Sequence, residues 1–381
     1  MALDFLTPLN SDILEYVKEL SSQHLGSKIV FHTQDDFPDL NKIKIAIIGV
    51  LENRGCKNFD QPVKLSHIRK EFYNLYPGNW NISIGDLGDI EPGEIIEDTY
   101  FAIQKLATFL LKKNIIPIII GGSQDITYPL YRAYDDLEQM VNVISIDNKF
   151  DFLREEGSLS NSYLTKMIVD EPNNLFNYSN IGYQTYFNSQ EEIDLIEKLF
   201  FESYRLGEIS NDPTISEPIF RDGNLVSIDL NSIKSSDSGN FVNFTPNGFS
   251  GKEICSLARY AGISDKITCL GLFNHQNSKQ ESALISQILW YFIEGIHCRS
   301  NEYPFGTKQD YIKYTVTLDE NLIFYKSNIT NRWWIEISII TNKDNKLKKS
   351  TLFPCSYQDY LLACSGEVPE RWWKNQRKNI I

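Results

Sequence analysis

Three aspartates and one lysine are the residues most able to do chemistry together. The stretch "SIDNKFD" (145–151) closes an apolar run with Asp147 and Asp151 and places Lys149 between them. The stretch "SIDLN" (227–231) ends another apolar run on Asp229 and Asn231. Carboxylates gathered at one place repel, and one of them is forced neutral unless a cation sits among them. Hard oxygen ligands suit Mn²⁺, Mg²⁺ or Ca²⁺. A lysine ammonium supplies positive charge equally well. Any single Asp at a strand end also has an ordinary use, capping the helix that follows.

The elements that must position these residues are short and nearly continuously apolar: "KIKIAIIGV" (42–50), "IIPIIIGG" (115–122), "VNVISID" (141–147), "LVSIDL" (225–230) and "ITCLGLF" (267–273). Runs apolar on every residue predict strands covered on both faces, as in a mainly parallel sheet. Amphipathic segments at 94–113 and 281–296 predict helices between strands. The alternation defines an α/β fold, in which ligands bind beyond the carboxyl ends of the strands. Four run ends place polar residues on that rim: "GGSQD" (121–125), "DNKFD" (147–151), "SIDLN" (227–231) and "GLFNHQN" (271–277). The Gly-, Asn- and Pro-rich "GNFVNFTPNGFSG" (239–251) reads as a functional loop or a turn. After about residue 300 the runs become aromatic and strand-like, predicting a small β-containing C-terminal appendage with one short helix and a tail near the end. The expected domains are 1–300 and 301–381.

The order of these motifs resembles the ureohydrolase family of arginases, agmatinases and formimidoylglutamases, whose motifs are GGDH, DAHxD and SxDxD. The resemblance runs over roughly 40–300. It is strongest toward the formimidoylglutamase-like branch, through "IIGVLENRG" (47–55), "DLGDI" (86–90), "PNGF" (246–249) and "RYAG" (259–262). It implies a three-layer α/β/α sandwich and, in the family, two Mn²⁺ ions that activate a bridging hydroxide. Carried over residue by residue, it also implies departures. Gln124 stands where GGDH has its histidine. Asp147 and Asp151 survive, but Lys149 replaces the histidine of DAHxD. Asp229 survives, but Asn231 replaces the last aspartate of SxDxD. Asn274 stands where a substrate-contacting glutamate is expected.

These replacements share a direction. Amides are neutral, weak ligands, and a protonated lysine has no lone pair. No resident metal or other cofactor is therefore expected. The weak single-ion candidates for a residual Mn or Mg are Asp147, Asp151 and Asp229, with the Gln124 carbonyl. Lys149 is expected to pair with Asp147 and Asp229 as a counter-ion. The expectation is a non-catalytic homologue acting through binding or assembly. The alternative is a divergent hydrolase of amidine or guanidine C–N bonds using one metal or Lys149.

The remaining features narrow the field. The formal net charge of −13 disfavours nucleic acid. The six cysteines are scattered and read as reduced thiols. "MALDFLTPLNSDILEYV" lacks the layout of a signal peptide, and no run approaches the ~20 apolar residues of a membrane span. The expected compartment is the cytoplasm. GxGxxG, GxxxxGK[ST] and G-x-S-x-G are absent from the sequence. Histidines His24, His32, His67, His275 and His297 miss the ligand positions, "REEGSLSNSYLTKM" (154–167) holds none, and His275 is expected to be a satisfied surface or loop residue. The pairs Trp333–Trp334 and Trp372–Trp373 are expected to fasten the appendage or to form a subunit contact. Expected partners are another protein or a second copy in a homo-oligomer, with a small molecule in the vestigial pocket as a further candidate, and neither nucleic acid nor membrane insertion.

Overall fold

The computed structural model describes residues 2–56, 62–152, 158–302, 309–338 and 350–378. Parts of the stretch after the second motif (153–157) and of the appendage (303–308, 339–349 and 379–381) lie outside the described residues.

The apolar runs form the centre of a ten-stranded sheet. Its strands are β1 (Leu6–Thr7), β2 (Val30–Phe31), β3 (Ile45–Val50), β4 (Ile84–Ile90), β5 (Ile116–Ile120), β6 (Val141–Ile146), β7 (Leu175–Tyr183), β8 (Glu202–Arg205), β9 (Leu225–Asp229) and β10 (Cys269–Phe273). The order is β1-β4-β3-β5-β10-β9-β6-β7-β8, with β2 also on β4. Among the described residues, only the β1–β4 pairing is antiparallel within this sheet. Alternation along each strand divides the core in two. Ile45 and Ile47 join Ile116 and Ile118 against helices Ser66–Tyr73 and Lys279–His297 on one face. Ala46, Ile48 and Val50 join Ile119 against helix Ile96–Lys112 on the other. The result is the expected three-layer α/β/α sandwich.

Strands β4 and β7 were not among the predicted runs, because both carry polar residues into the interior. Asp86 of β4 is fully buried and meets the Arg69 guanidinium at 2.9 Å. Strand β7 buries Asn177, Ser179 and Asn180. Asn177 Nδ2 reaches Glu202 Oε1 of β8 at 3.3 Å and Asn180 Nδ2 reaches the Lys149 carbonyl at 2.7 Å, partners that no local pattern announces.

The C-terminal part forms a separate antiparallel sheet of β11 (Tyr311–Thr317), β12 (Asn321–Ser327), β13 (Trp333–Ser338) and β14 (Ser350–Cys355), in that order. Two helices follow, Tyr357–Cys364 and Glu370–Lys378, where one and a tail were expected. The second starts directly after the helix-interrupting Gly366-Glu367-Val368-Pro369 stretch and carries Trp372 and Trp373. Polar contacts fasten the appendage. Arg221 donates to the carbonyls of Trp333 (3.1 Å) and Cys355 (2.8 Å), and its guanidinium lies 4.6 Å from the Trp334 ring centre. Arg371 meets the buried Glu202 of β8 at 3.0 Å. Trp373 packs edge-on against Phe200. Trp334 and Trp373 therefore do fasten the appendage, while Trp333 stacks on Tyr360 within it.

Burial alone pushes the Glu202 carboxyl up, but Arg371 and Lys378 outweigh it and hold the group down at about 2. A depressed carboxyl contributes stability above its unfolded value of ~4.3, and that contribution is lost as pH falls toward 2. Arg371→Ala should destabilise by about 3–5 kcal/mol at neutral pH in urea titrations followed by tryptophan fluorescence. The stability gap between wild type and Glu202→Gln should narrow from pH 5 to pH 3. A gap that widens on acidification would contradict this assignment.

Candidate functional site

Parallel strands end on one edge, and that edge gathers most of the expected residues. A cavity of about 330 Å³ is lined by Gln124, Lys149, Asp151, Asp229, Asn231 and Asn274, together with Cys56, Phe187, Val242 and Phe244. Asp147 lies just behind its wall, 1% exposed. The Gly121–Gly122 turn presses this corner together. A side chain on Gly122 would sit 1.9 Å from the Glu52 carbonyl, and the Gly122 carbonyl accepts from Asn274 N at 2.7 Å. Asp151 and Asn274 both adopt left-handed backbone, φ +57° and +63°, a conformation that Asn and Asp tolerate.

Donors already occupy three of the four carboxylate oxygens of Asp147 and Asp229. Asp147 Oδ1 accepts from Lys149 N at 2.9 Å, and Oδ2 accepts from Gln124 Nε2 at 2.7 Å. Asp229 Oδ1 accepts from Asn231 N and from Asn274 Nδ2, both at 2.9 Å. Gln124 thus presents its amide nitrogen to Asp147, not its carbonyl as expected. The physical reason is that a carboxylate accepts only from N–H or O–H. Tyr163, which sequence reasoning missed, places its hydroxyl 3.3 Å from the same nitrogen.

Burial raises the Asp147 carboxyl, and the neighbouring Asp229 raises it further. Asp151 is raised well above the usual carboxylate range by burial and then by Asp147 and Asp229. Asp229 is raised by burial, against the pull of its Asn231 and Asn274 hydrogen bonds. The Lys149 ammonium lowers Asp151 and Asp229 through space from the cavity wall and, among the described residues, closes no direct ion pair with Asp147 or Asp229. Its action is a field across the cavity in place of the expected contact. Among the described residues, no three His, Cys, Asp or Glu side chains are arranged to hold a metal ion.

Two more buried groups flank the site. His275 lies in the loop after β10, as one of the two expected settings, but at 1% exposed it is not at the surface; the left-handed turn at Asn274 folds it inward. Neither of its ring nitrogens has a hydrogen-bond partner among the described residues, and burial lowers it to about 4, leaving a neutral ring. Glu281, in the first turn of helix Lys279–His297, is raised to about 8, chiefly by burial. Its only sequence signal is a glutamate three residues after Ser278, which reads as a capping box.

Asn231 has a second role that spacing did not reveal. Its Oδ1 accepts from Asn240 Nδ2 at 3.1 Å and Asn243 Nδ2 at 3.3 Å, and its backbone carbonyl accepts from Thr245 Oγ1 at 3.1 Å. The 239–251 segment is therefore a loop on the cavity rim, held by the motif itself.

Comparisons agree with this fold. The arginase family profile matches residues 61–270, more than half of the chain, and the chain belongs to that family. Among curated proteins, a formimidoylglutamase of Staphylococcus epidermidis is 27% identical over 186 residues, 46% of this chain and 55% of that protein. The chain thus spans about half the length of the curated relatives it matches. Among solved structures, the Bacillus subtilis formimidoylglutamase superposes with TM-score 0.62 at 18% identity, covering 71% of this chain and 91% of that one. A Trypanosoma cruzi formiminoglutamase determined with Mn²⁺ gives TM-score 0.59 at 18% identity, covering 69% and 100%. The agmatine ureohydrolase of Thermoplasma volcanium gives 0.56 at 17%, covering 74% and 97%. These likenesses establish the fold. No helix among the described residues is long and apolar enough to cross a membrane.

Gln124→Met keeps the side chain's length and removes the donor to Asp147. Leaving a buried acceptor without its partner should cost about 1–3 kcal/mol in urea unfolding at neutral pH. An unchanged midpoint would show that this hydrogen bond contributes nothing.

Proposed function

We propose that this chain keeps the arginase-family scaffold without a dinuclear manganese centre and acts through binding or assembly. The donor set carries the proposal. At the positions matching the family's ligands stand Gln124, Lys149 and Asn231, and the Gln124 and Asn274 amide hydrogens occupy carboxylate oxygens that a divalent ion would need. An ion entering there would break those hydrogen bonds and face an ammonium instead of an imidazole lone pair. Lys149 supplies the compensating charge as a built-in counter-ion acting across the cavity. The raised carboxyls fit a site that lowers its charge by holding protons. The family mechanism needs a hydroxide bridging two ions, and this donor set offers neither position a full set of lone pairs.

Metal analysis of protein equilibrated with Mn²⁺ and then desalted should return well under one ion per chain. Restoring Gln124→His, Lys149→His and Asn231→Asp together should raise Mn²⁺ occupancy. Formiminoglutamate, arginine and agmatine should remain unhydrolysed by the parent chain. Two tightly held manganese ions in the parent, or turnover of any of these substrates that depends on Asp229, would end the proposal.

A further inference from the structure

One amine outside the strand-end cavity is enclosed by the fold. Lys378 lies in the last turn of helix Glu370–Lys378, and its Nζ donates to Asn177 Oδ1 of β7. The Phe201 ring centre lies 5.5 Å from the same nitrogen. Burial lowers Lys378 to about 8; Glu202 and Asp222 pull it back up, while Lys374 and Arg371 push it further down. A lysine lowered this far carries a free lone pair on many chains at mildly alkaline pH, and a neutral amine is a nucleophile.

The group it faces is an amide held from behind. Asn177 is 2% exposed, and its Nδ2 donates to Ser179 Oγ at 3.2 Å and to Glu202 Oε1 at 3.3 Å. Those two acceptors turn the carbonyl toward Lys378. Strands β7 and β8 pair in parallel with Ser179 opposite Glu202, so the sheet itself sets the amide against the carboxylate. The helix is anchored at the same place. Arg371 Nε donates to Glu202 Oε2 at 3.0 Å, and Asn375 Nδ2 reaches Glu202 Oε1 at 3.5 Å. Amine, amide and carboxylate are thus fixed by the elements that the appendage joins. Groups fixed together in this way react as if one were present at ~10⁵ M or more.

We propose that Lys378 and Asn177 join in an isopeptide bond, which ties the C-terminal helix covalently to β7. Lys378 Nζ, having given one proton to solvent, attacks Asn177 Cγ. The Nζ–Cγ bond forms, the Cγ–Nδ2 bond breaks, and Nδ2 leaves as ammonia with a proton that began on Nζ. Glu202 touches Nδ2 and carries that proton from one nitrogen to the other. Neutralising Lys378 removes one of the two cations that hold the Glu202 carboxyl down, which favours the transfer. No oxidant, reductant or second substrate enters. The product is a neutral amide in place of a desolvated ammonium, and Arg371 remains to pair with Glu202. The bond is independent of what the strand-end cavity holds.

The test is mass spectrometry of the full chain, kept at about pH 9 until its mass no longer changes and then unfolded. More than half of the chains should weigh about 17 Da less than the sequence, the mass of one ammonia. Trypsin should release a branched peptide joining residues 167–198 to the segment that begins at Lys378. Lys378→Arg keeps the cation and should show the circular dichroism of the parent and its own full mass. A linked fraction of half or less in the parent, or absence of the branched peptide, would overturn the proposal. So would a loss of ammonia that survives in Lys378→Arg, as cyclisation of an asparagine onto its own backbone would give. Glu202→Gln, with its fold checked in the same way, should stay unlinked, and a branched peptide from it would overturn the role given to that carboxylate. The parent's branched peptide decides the bond even if a variant fails to fold.

Discussion

Three carboxyl groups buried at one corner of the sheet set the terms for everything around them. Asp147, Asp151 and Asp229 are each at most 6% exposed, and burial penalises their charged forms. Such a cluster persists only if protons, donors or cations offset it. Here the offset comes from the protein: amide hydrogens from Gln124 and Asn274, backbone hydrogens from Lys149 and Asn231, and the field of the Lys149 ammonium. Each offsetting group needs its own position, and so the constraint spreads outward. The turn at Gly122 and the left-handed backbone of Asp151 and Asn274 exist where they bring these groups within reach.

The sheet makes that corner available. Strands β5, β6, β9 and β10 run parallel and adjacent, so their carboxyl ends deliver Gln124, Asp147, Asp229 and Asn274 to one edge. Isoleucines and valines alternating between two cores keep the strands dry on both faces. The appendage uses another chemistry: guanidinium groups of Arg221 and Arg371 reach backbone carbonyls and the buried Glu202. A fastening made of charge and hydrogen bonds is directional, and it orients the small sheet more sharply than apolar contact alone would.

Family membership rests on the scaffold of this molecule. The chain shares its scaffold with formimidoylglutamases at about one residue in five, and within its own site the Gln124 and Asn274 amides donate to Asp147 and Asp229. A fold hosts a function only through the groups placed on it. The same Asn231 that departs from the family motif also fixes the rim loop by accepting from Asn240 and Asn243. Asn231 is thus a structural anchor for the rim loop.

The five central strands and the long helices at 96–112 and 279–297 are legible in the sequence because burial on both faces leaves a continuous apolar signature, and helix amphipathicity a periodic one. The candidate residues Gln124, Asp147, Lys149, Asp151, Asp229, Asn231 and Asn274 are legible because strand ends are visible and parallel strands end together. Strands β4 and β7 are not, since Asp86 and Asn180 are tolerated inside only by partners distant in the chain. Nor are the inward turn of His275, the reach of Tyr163 to Gln124, or the closing of the loops around 186 and 241 over one mouth. Residue order alone supplies the chemical groups present and the α/β alternation that arrays them. Only the tertiary structure decided which atom of each amide faces which carboxylate, because hydrogen-bond direction depends on distances and angles between segments that the order of residues does not encode.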